Sequence, residues 1–277
     1  MVKSGDPPVM LISGRSGIGK SSLLARLADE CTQQGVVCVE VDCRDPRHGN
    51  YQKIMTAIAT RLGIEHFQNF VNLVNHFSDP RQKFAASAPN ISIHGEVSAT
   101  TLNAGGPVTG VIIKEVNITV PSHDFGVPEA ERIAPLTDRF LADLQPLLTR
   151  NTIVFFFDQL ENATTETRKW FWEELLRPIR LGGGLDGARF VVCAQESPDL
   201  EAEIGDLRRI VKRADLNPLK DGDIAEYLAR REGPSLSESD RRVLAVAIFV
   251  KTNGIPGEVA GFVDLIHQHR ENVARGT

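Results

Sequence analysis

Long apolar runs are missing from this 277-residue sequence. The longest, such as Ile153 to Phe157, fall far short of the ~20 residues a membrane-spanning helix needs. No basic stretch leads into an apolar segment at the N-terminus, so neither secretion nor membrane insertion is expected and the expected location is the cytoplasm. Cysteine is scarce as well. Cys31, Cys38, Cys43 and Cys193 stand without CxxC spacing, which indicates neither a disulfide framework nor a zinc site. They read as small buried apolar residues, Cys31 on a helix face and Cys38 and Cys193 within strands. An excess of positive charge is also lacking. A formal net charge of -5, with no basic stripe or helix-turn-helix signal, argues against nucleic acid or an anionic membrane as partner. No internal repeat period is found.

What is present is an average globular composition, 42% hydrophobic and 24% charged. The chain exceeds the usual ~100 to 200 residues per domain, leaving room for a full α/β core and a smaller appendage. Near the N-terminus the apolar run Val9-Met10-Leu11-Ile12-Ser13 enters Gly14-Arg15-Ser16-Gly17-Ile18-Gly19-Lys20-Ser21, a complete GxxxxGK[ST]. Leu23, Leu24, Leu27, Ala28 and Cys31 follow at helical spacing and Gly35 supplies a stop, so the motif lies between a strand and a helix. Glycine at 14, 17 and 19 lets the backbone wrap a phosphate and turn its N–H groups inward, and the helix N-terminus adds positive potential. Lys20 is placed to reach the β- and γ-phosphates, and Ser21 to offer its hydroxyl oxygen to Mg²⁺. The nucleotide-binding set is therefore Gly14, Arg15, Ser16, Gly17, Ile18, Gly19, Lys20, Ser21 and Ser22.

A carboxylate for the magnesium shell is expected at the end of a neighbouring apolar strand. Thr152-Ile153-Val154-Phe155-Phe156-Phe157-Asp158 supplies it: the apolar run suits a strand buried on both faces, and Asp158 emerges at the carboxyl end, where α/β sheets bind ligands. Glu161, three residues on, is the candidate to orient or deprotonate a water attacking the γ-phosphate; the plainer reading has it opening the next helix, where an acid favours the dipole. Val36 to Asp42 and Arg189 to Gln195 read as further strands with helices between, hence a mostly parallel sheet. Gln195, polar at its strand end, is a candidate γ-phosphate sensor or simply a solvated residue. Arg209 to Leu216 reads as a final strand whose arginines, with Arg208, are candidates for a finger at a subunit interface.

Residues 85–128 differ in texture. Ile91, Ile93 and Val97, and later Val116, Ile118 and Val120, alternate with polar residues around the Asn103-Ala104-Gly105-Gly106 turn, predicting an inserted β-hairpin or small sheet. Its unpaired edge either meets a partner or a second copy, or merely decorates the surface. Apolar stripes at Phe67, Phe70, Val71, Val74 and Phe77, and at Leu136, Phe140, Leu144 and Leu147, read as packing faces. After Asn217-Pro218-Leu219 the pattern turns helical over Asp221 to Arg231, Ser237 to Lys251 and Glu258 to Ala274. That divides the chain into a P-loop domain at 1–219 and a small helical lid at 220–277. Gly254-Ile255-Pro256 opens the last helix, and Pro256 is the candidate lid contact to the nucleotide.

Together, Gly14 to Ser21, Asp158 with Glu161, the strand ending at Gln195, Leu216-Asn217-Pro218-Leu219 and Gly254-Ile255-Pro256 resemble the nucleotide-binding core of the STAND class. That class comprises signal-transduction P-loop ATPases such as the NACHT and apoptotic ATPase families and many bacterial regulators. The resemblance implies an ASCE or AAA+-like fold, ATP or ADP with Mg²⁺ as ligands, and a switch. ADP holds the core closed against the lid, and exchange for ATP permits opening, self-association and activation of an attached effector. The effector and sensor domains that such proteins carry are absent from this chain, which reads as an excised module. Gln159 stands where some relatives have an acid, which predicts weak turnover. Two other readings remain: a scaffold in which nucleotide is structural, and a P-loop phosphotransferase, against which the helical Gly-Ile-Pro region argues.

Overall fold

The structure, a computed structural model, describes residues 7–78, 129–195, 205–232 and 236–275. Among the described residues the segments read as strands form five parallel strands, β1 (Val9–Ser13), β2 (Val37–Asp42), β3 (Ile153–Asp158), β4 (Ala188–Ala194) and β5 (Val211–Asp215), in the order β2-β3-β4-β1-β5. Parallel neighbours need crossovers, and helices supply them. They are α1 (Lys20–Gln33), α2 (Tyr51–Leu62), α3 (Gln68–Ser78), α4 (Glu129–Leu148), α5 (Thr165–Lys169, continued by a π-helical turn over Trp170–Leu175) and α6 (Arg177–Arg180). This is the α/β, mostly parallel P-loop architecture that the strand and helix alternation predicts. The expected β-hairpin at 85–128 lies outside the described residues.

Alternation along the strands sends side chains to two separate cores. Ile12, Val154, Phe156 and Cys193 pack beneath Leu24 and Ala28 of α1. Leu11, Ile153, Phe155, Phe157, Phe190 and Val192 face the other way, into a larger core with Ile54, Phe67, Phe140, Trp170 and Phe171. Both apolar stripes read from the sequence lie there, as packing faces. Polar groups tie the larger layer together: Asp143 of α4 accepts from the Asn69 side chain at 2.7 Å and from the Phe70 backbone N–H at 2.9 Å, and buried Trp170 Nε1 donates to Thr137 at 2.9 Å. Cys43 and Cys193 are buried, as expected, but Cys31 and Cys38 are only half-buried. The reason is topological, since Cys38 lies on an edge strand and Cys31 in the last turn of the helix beside it.

Beyond β5 the chain forms three helices, α7 (Asp221–Glu232), α8 (Glu238–Thr252) and α9 (Pro256–Arg275). They bury a small aliphatic cluster of their own: Ile224, Leu228, Ala245, Ile248, Val259 and Val263. Among the described residues, no helix is long and apolar enough to cross a membrane.

Candidate nucleotide-binding site

The loop between β1 and α1 follows from its glycines. Gly17 and Gly19 have φ of +77° and +96°, a region costly to residues with a Cβ, and they turn the chain from strand to helix within a few residues. Arg15, Ser16 and Gly17 are exposed, whereas the Ile18 side chain is buried, so Ile18 faces the loop cavity only through its backbone. Lys20, the first residue of α1, is buried, and its Nζ donates to the carbonyls of Gly14 at 2.6 Å and Arg15 at 3.1 Å. Ser21 and Ser22 are exposed on the first turn.

Asp158 lies opposite Asp42 in the β2–β3 register. It is buried, and its Oδ1 has no hydrogen-bond partner in the protein; neither has the buried Oε2 of Glu161. Glu161 does not open a helix. It sits in a 3-10 turn, Leu160–Asn162, and the following helix is capped separately by Thr164. The turn begins at Gln159, whose backbone is left-handed (φ 56°, ψ 47°) and whose Nε2 lies 3.4 Å from Ser21 Oγ. The negative charge at these strand ends is felt nearby. Burial first, then Asp158 with Glu161, push the Cys193 thiol up to about 12, with Lys20 opposing. Burial, then Asp42, Asp158 and Glu161, do the same to Cys43. At Asp42 burial pushes the carboxyl upward, but hydrogen bonds from Arg44 at 2.9, 3.3 and 3.2 Å outweigh it and hold the group below its usual range.

Such a site fits a magnesium nucleotide. Buried acceptors without partners cost free energy unless something satisfies them, and the chelating residues are few. Among the described residues, no group of three or more His, Cys, Asp or Glu side chains is arranged to hold a metal alone. That is normal for Mg²⁺, which binds through one or two carboxylates together with substrate phosphates. Residues 1–185 match the family model of the AAA ATPase domain. The chain belongs to this family. AAA ATPases bind ATP or ADP, typically with Mg²⁺. No curated protein matches the sequence. Among solved structures, the chain is similar to Cdc6p from Pyrobaculum aerophilum, with 17% identity and a TM-score of 0.49 over 97% of this chain and 56% of that one. It is also similar to the ORC2 protein of Aeropyrum pernix in ADPNP–ADP complexes, at 12% identity and a TM-score of 0.48 over 98% of this chain and 58% of that one. The chain thus spans less than two thirds of either.

The remaining candidates lie beyond the residues matched by the family model, and they divide. Gln195 follows directly on β4, the strand between those of the P-loop and Asp158, and is exposed beside the site. Pro256 opens α9, and its neighbours touch the loop: a Cβ on Gly17 would lie 3.3 Å from Ile255 Cγ2, one on Gly257 3.7 Å from the Gly17 carbonyl, and Arg15 Nη2 donates to Asn253 O at 3.4 Å. Arg208 and Arg209 precede β5, at the opposite end of the strands from the loop, because Val211 pairs with Val9 and Asp215 with Ser13. Within one chain they do not join this site. Sequence reasoning missed the Gln159–Ser21 contact and the Arg15–Asn253 contact. A second polar residue directly after the strand-ending Asp158 was the available signal for the first; nothing local marked the second.

Proposed function

We propose that this AAA ATPase domain is a nucleotide-dependent switch of the STAND kind, in which the helical lid reads what the P-loop holds. The observation that carries the reading is the turn Asn253–Gly257 resting on Arg15 and Gly17. A ligand in the loop therefore meets core and lid together, and a two-state element can be biased by γ-phosphate contacts. Gly14 to Ser22 would bind the phosphates through backbone N–H groups. Lys20 would exchange its carbonyl partners for phosphate oxygens, and Ser21 and Asp158 would hold Mg²⁺, which supplies charge neutralisation at the phosphates. Glu161 orients or deprotonates the attacking water, Gln195 lies where it can sense the γ-phosphate, and Pro256 fixes the lid's approach. With Gln159 neutral at its position, turnover is slow and ATP for ADP exchange is the main event. Self-association, or effector and sensor segments outside this chain, would receive the signal.

The test is nucleotide affinity together with the mass of the complex, with ADP and with a non-hydrolysable ATP analogue, for wild type and Lys20→Ala. A charged hydrogen-bond donor contributes ~1.5 to 3 kcal/mol, so the variant should bind at least about tenfold more weakly. ATP-specific assembly of the wild type supports the switch. Equal binding of both nucleotides without assembly would point instead to a static scaffold.

A further inference from the structure

Gln159 occupies the junction of the loop and the carboxylate turn, and its conformation is not a relaxed one. A left-handed backbone costs an L-residue other than glycine or asparagine roughly 1 kcal/mol or more, and such outliers at a site suggest a role for the side chain held there. Both ends of this side chain are engaged: Nε2 donates toward Ser21 Oγ at 3.4 Å, and Oε1 accepts from Asn162 Nδ2 at 3.1 Å. The Asn162 backbone N–H also donates to the Gln159 carbonyl at 2.9 Å. The 3-10 turn carrying Glu161 is thereby strapped to the first turn of α1 through one amide.

We infer that Gln159 is a positioning residue for magnesium: its amide orients the Ser21 hydroxyl and fixes the turn beside Asp158, and so sets how tightly the cation is held. A hydroxyl oxygen has two lone pairs. The amide N–H occupies one and leaves the other for the cation, so Gln159 and Mg²⁺ are compatible rather than competing. A neutral amide also keeps a fourth carboxylate out of a region already negative from Asp42, Asp158 and Glu161, which holds magnesium affinity moderate and release feasible.

The inference rests on the nucleotide-binding reading, and the experiment separates the two. Affinity for a non-hydrolysable ATP analogue is measured by calorimetry across a magnesium titration and in chelator, for wild type, Gln159→Gly, Gln159→Glu and Lys20→Ala. Glycine removes the amide while accepting the backbone conformation, so strain relief cannot mimic the effect. Partners that orient a metal ligand typically contribute 10 to 100-fold in metal affinity. Gln159→Gly should therefore raise half-saturating magnesium about tenfold while affinity in chelator stays within about twofold. Gln159→Glu should lower half-saturating magnesium, since ligand charge tunes affinity for hard cations. Unchanged magnesium dependence in Gln159→Gly, with Lys20→Ala impaired, would overturn the positioning role alone. Equal binding by Lys20→Ala and wild type would overturn the nucleotide reading and this inference with it.

Discussion

The sheet core and the helical lid are built on different scales. The core buries a cluster of aromatic side chains in its larger layer, with Phe155 stacked on Phe190 at 5.1 Å and Phe171 edge-on to Phe157 at 4.7 Å. The fully buried apolar residues of the lid are aliphatic, with Tyr227 and Phe262 only partly buried against them, and α8 turns Val243, Val246 and Val250 to solvent on the face opposite Ala245 and Ile248. A core of large interlocked rings resists local opening, whereas a thin aliphatic cluster opens at lower free energy. In the proposed switch, that difference would let a rigid loop be read by a cover that opens first. Two joints connect core and lid: the Leu219 backbone N–H donates to Gly254 O at 2.8 Å, and the Asn253–Gly257 turn meets the P-loop through the Arg15 guanidinium and the Ile255 side chain.

The joint at Gly254 gives the largest expected effect. Its φ is +70°, and a Cβ there would sit 2.0 Å from the Leu219 carbonyl oxygen, which is backbone and cannot step aside. Gly254→Ala should weaken the lid by more than about 2 kcal/mol. Hydrogen exchange is the measurement, with protection lost across α7 to α9 and retained in β1, β3 and β4. Equal loss in both regions would mean that lid and core open as one unit, and the comparison would fall. The core has a counterpart in Trp170→Phe, which leaves Thr137 without its buried donor. A loss of about 1 to 2 kcal/mol in urea unfolding is expected, with exchange in the lid unaffected.

These two sites also mark how much the sequence made legible. β1 and β3 were the most readable strands because they are apolar runs ended by a polar residue, whereas edge strand β5 carries Lys212 and Arg213 and was legible mainly from its place after the other strands. The P-loop was readable because phosphate geometry demands glycines at fixed spacing. The lid helices were readable from their proline and glycine breaks, within a residue or two. Contacts between distant segments were not readable. Nothing near Gly254 announces Leu219, and nothing near Gln159 announces Ser21, because such pairs are created by the crossovers and not by local propensity. The same holds for Glu161, whose place in a separate 3-10 turn depends on the left-handed residue before it and on Thr164 capping the next helix instead.

A smaller effect probes the lid joint from the loop side. Arg15 meets Asn253 O at 3.4 Å in an exposed setting, where truncation of a surface contact changes stability by under about 0.5 kcal/mol. Arg15→Ala should leave global unfolding unchanged yet speed exchange in the last turn of α8. A change in the melting temperature of the core would show that the lid braces the loop more than the geometry suggests.

The smallest effect expected is electrostatic and belongs to the core's own edge. The Asp45 carboxylate accepts from the Arg47 guanidinium at 2.9 and 2.7 Å and from its backbone N–H at 2.8 Å, and the Arg47 side chain holds the carboxyl down to about 2 from an ordinary 3.8. A group depressed on folding stabilises above its unfolded value and loses that contribution as pH falls toward the folded one. The benefit should be complete by neutral pH, fade below about pH 4 and vanish near pH 2. Asp45→Asn keeps a capping oxygen for the Arg47 N–H and removes only the charge. Because Arg47 is well exposed, the difference in stability at pH 7 should be at most roughly a few tenths of a kcal/mol, and salt should shrink it further. A pH-independent difference would assign the effect to the cap instead of the ion pair.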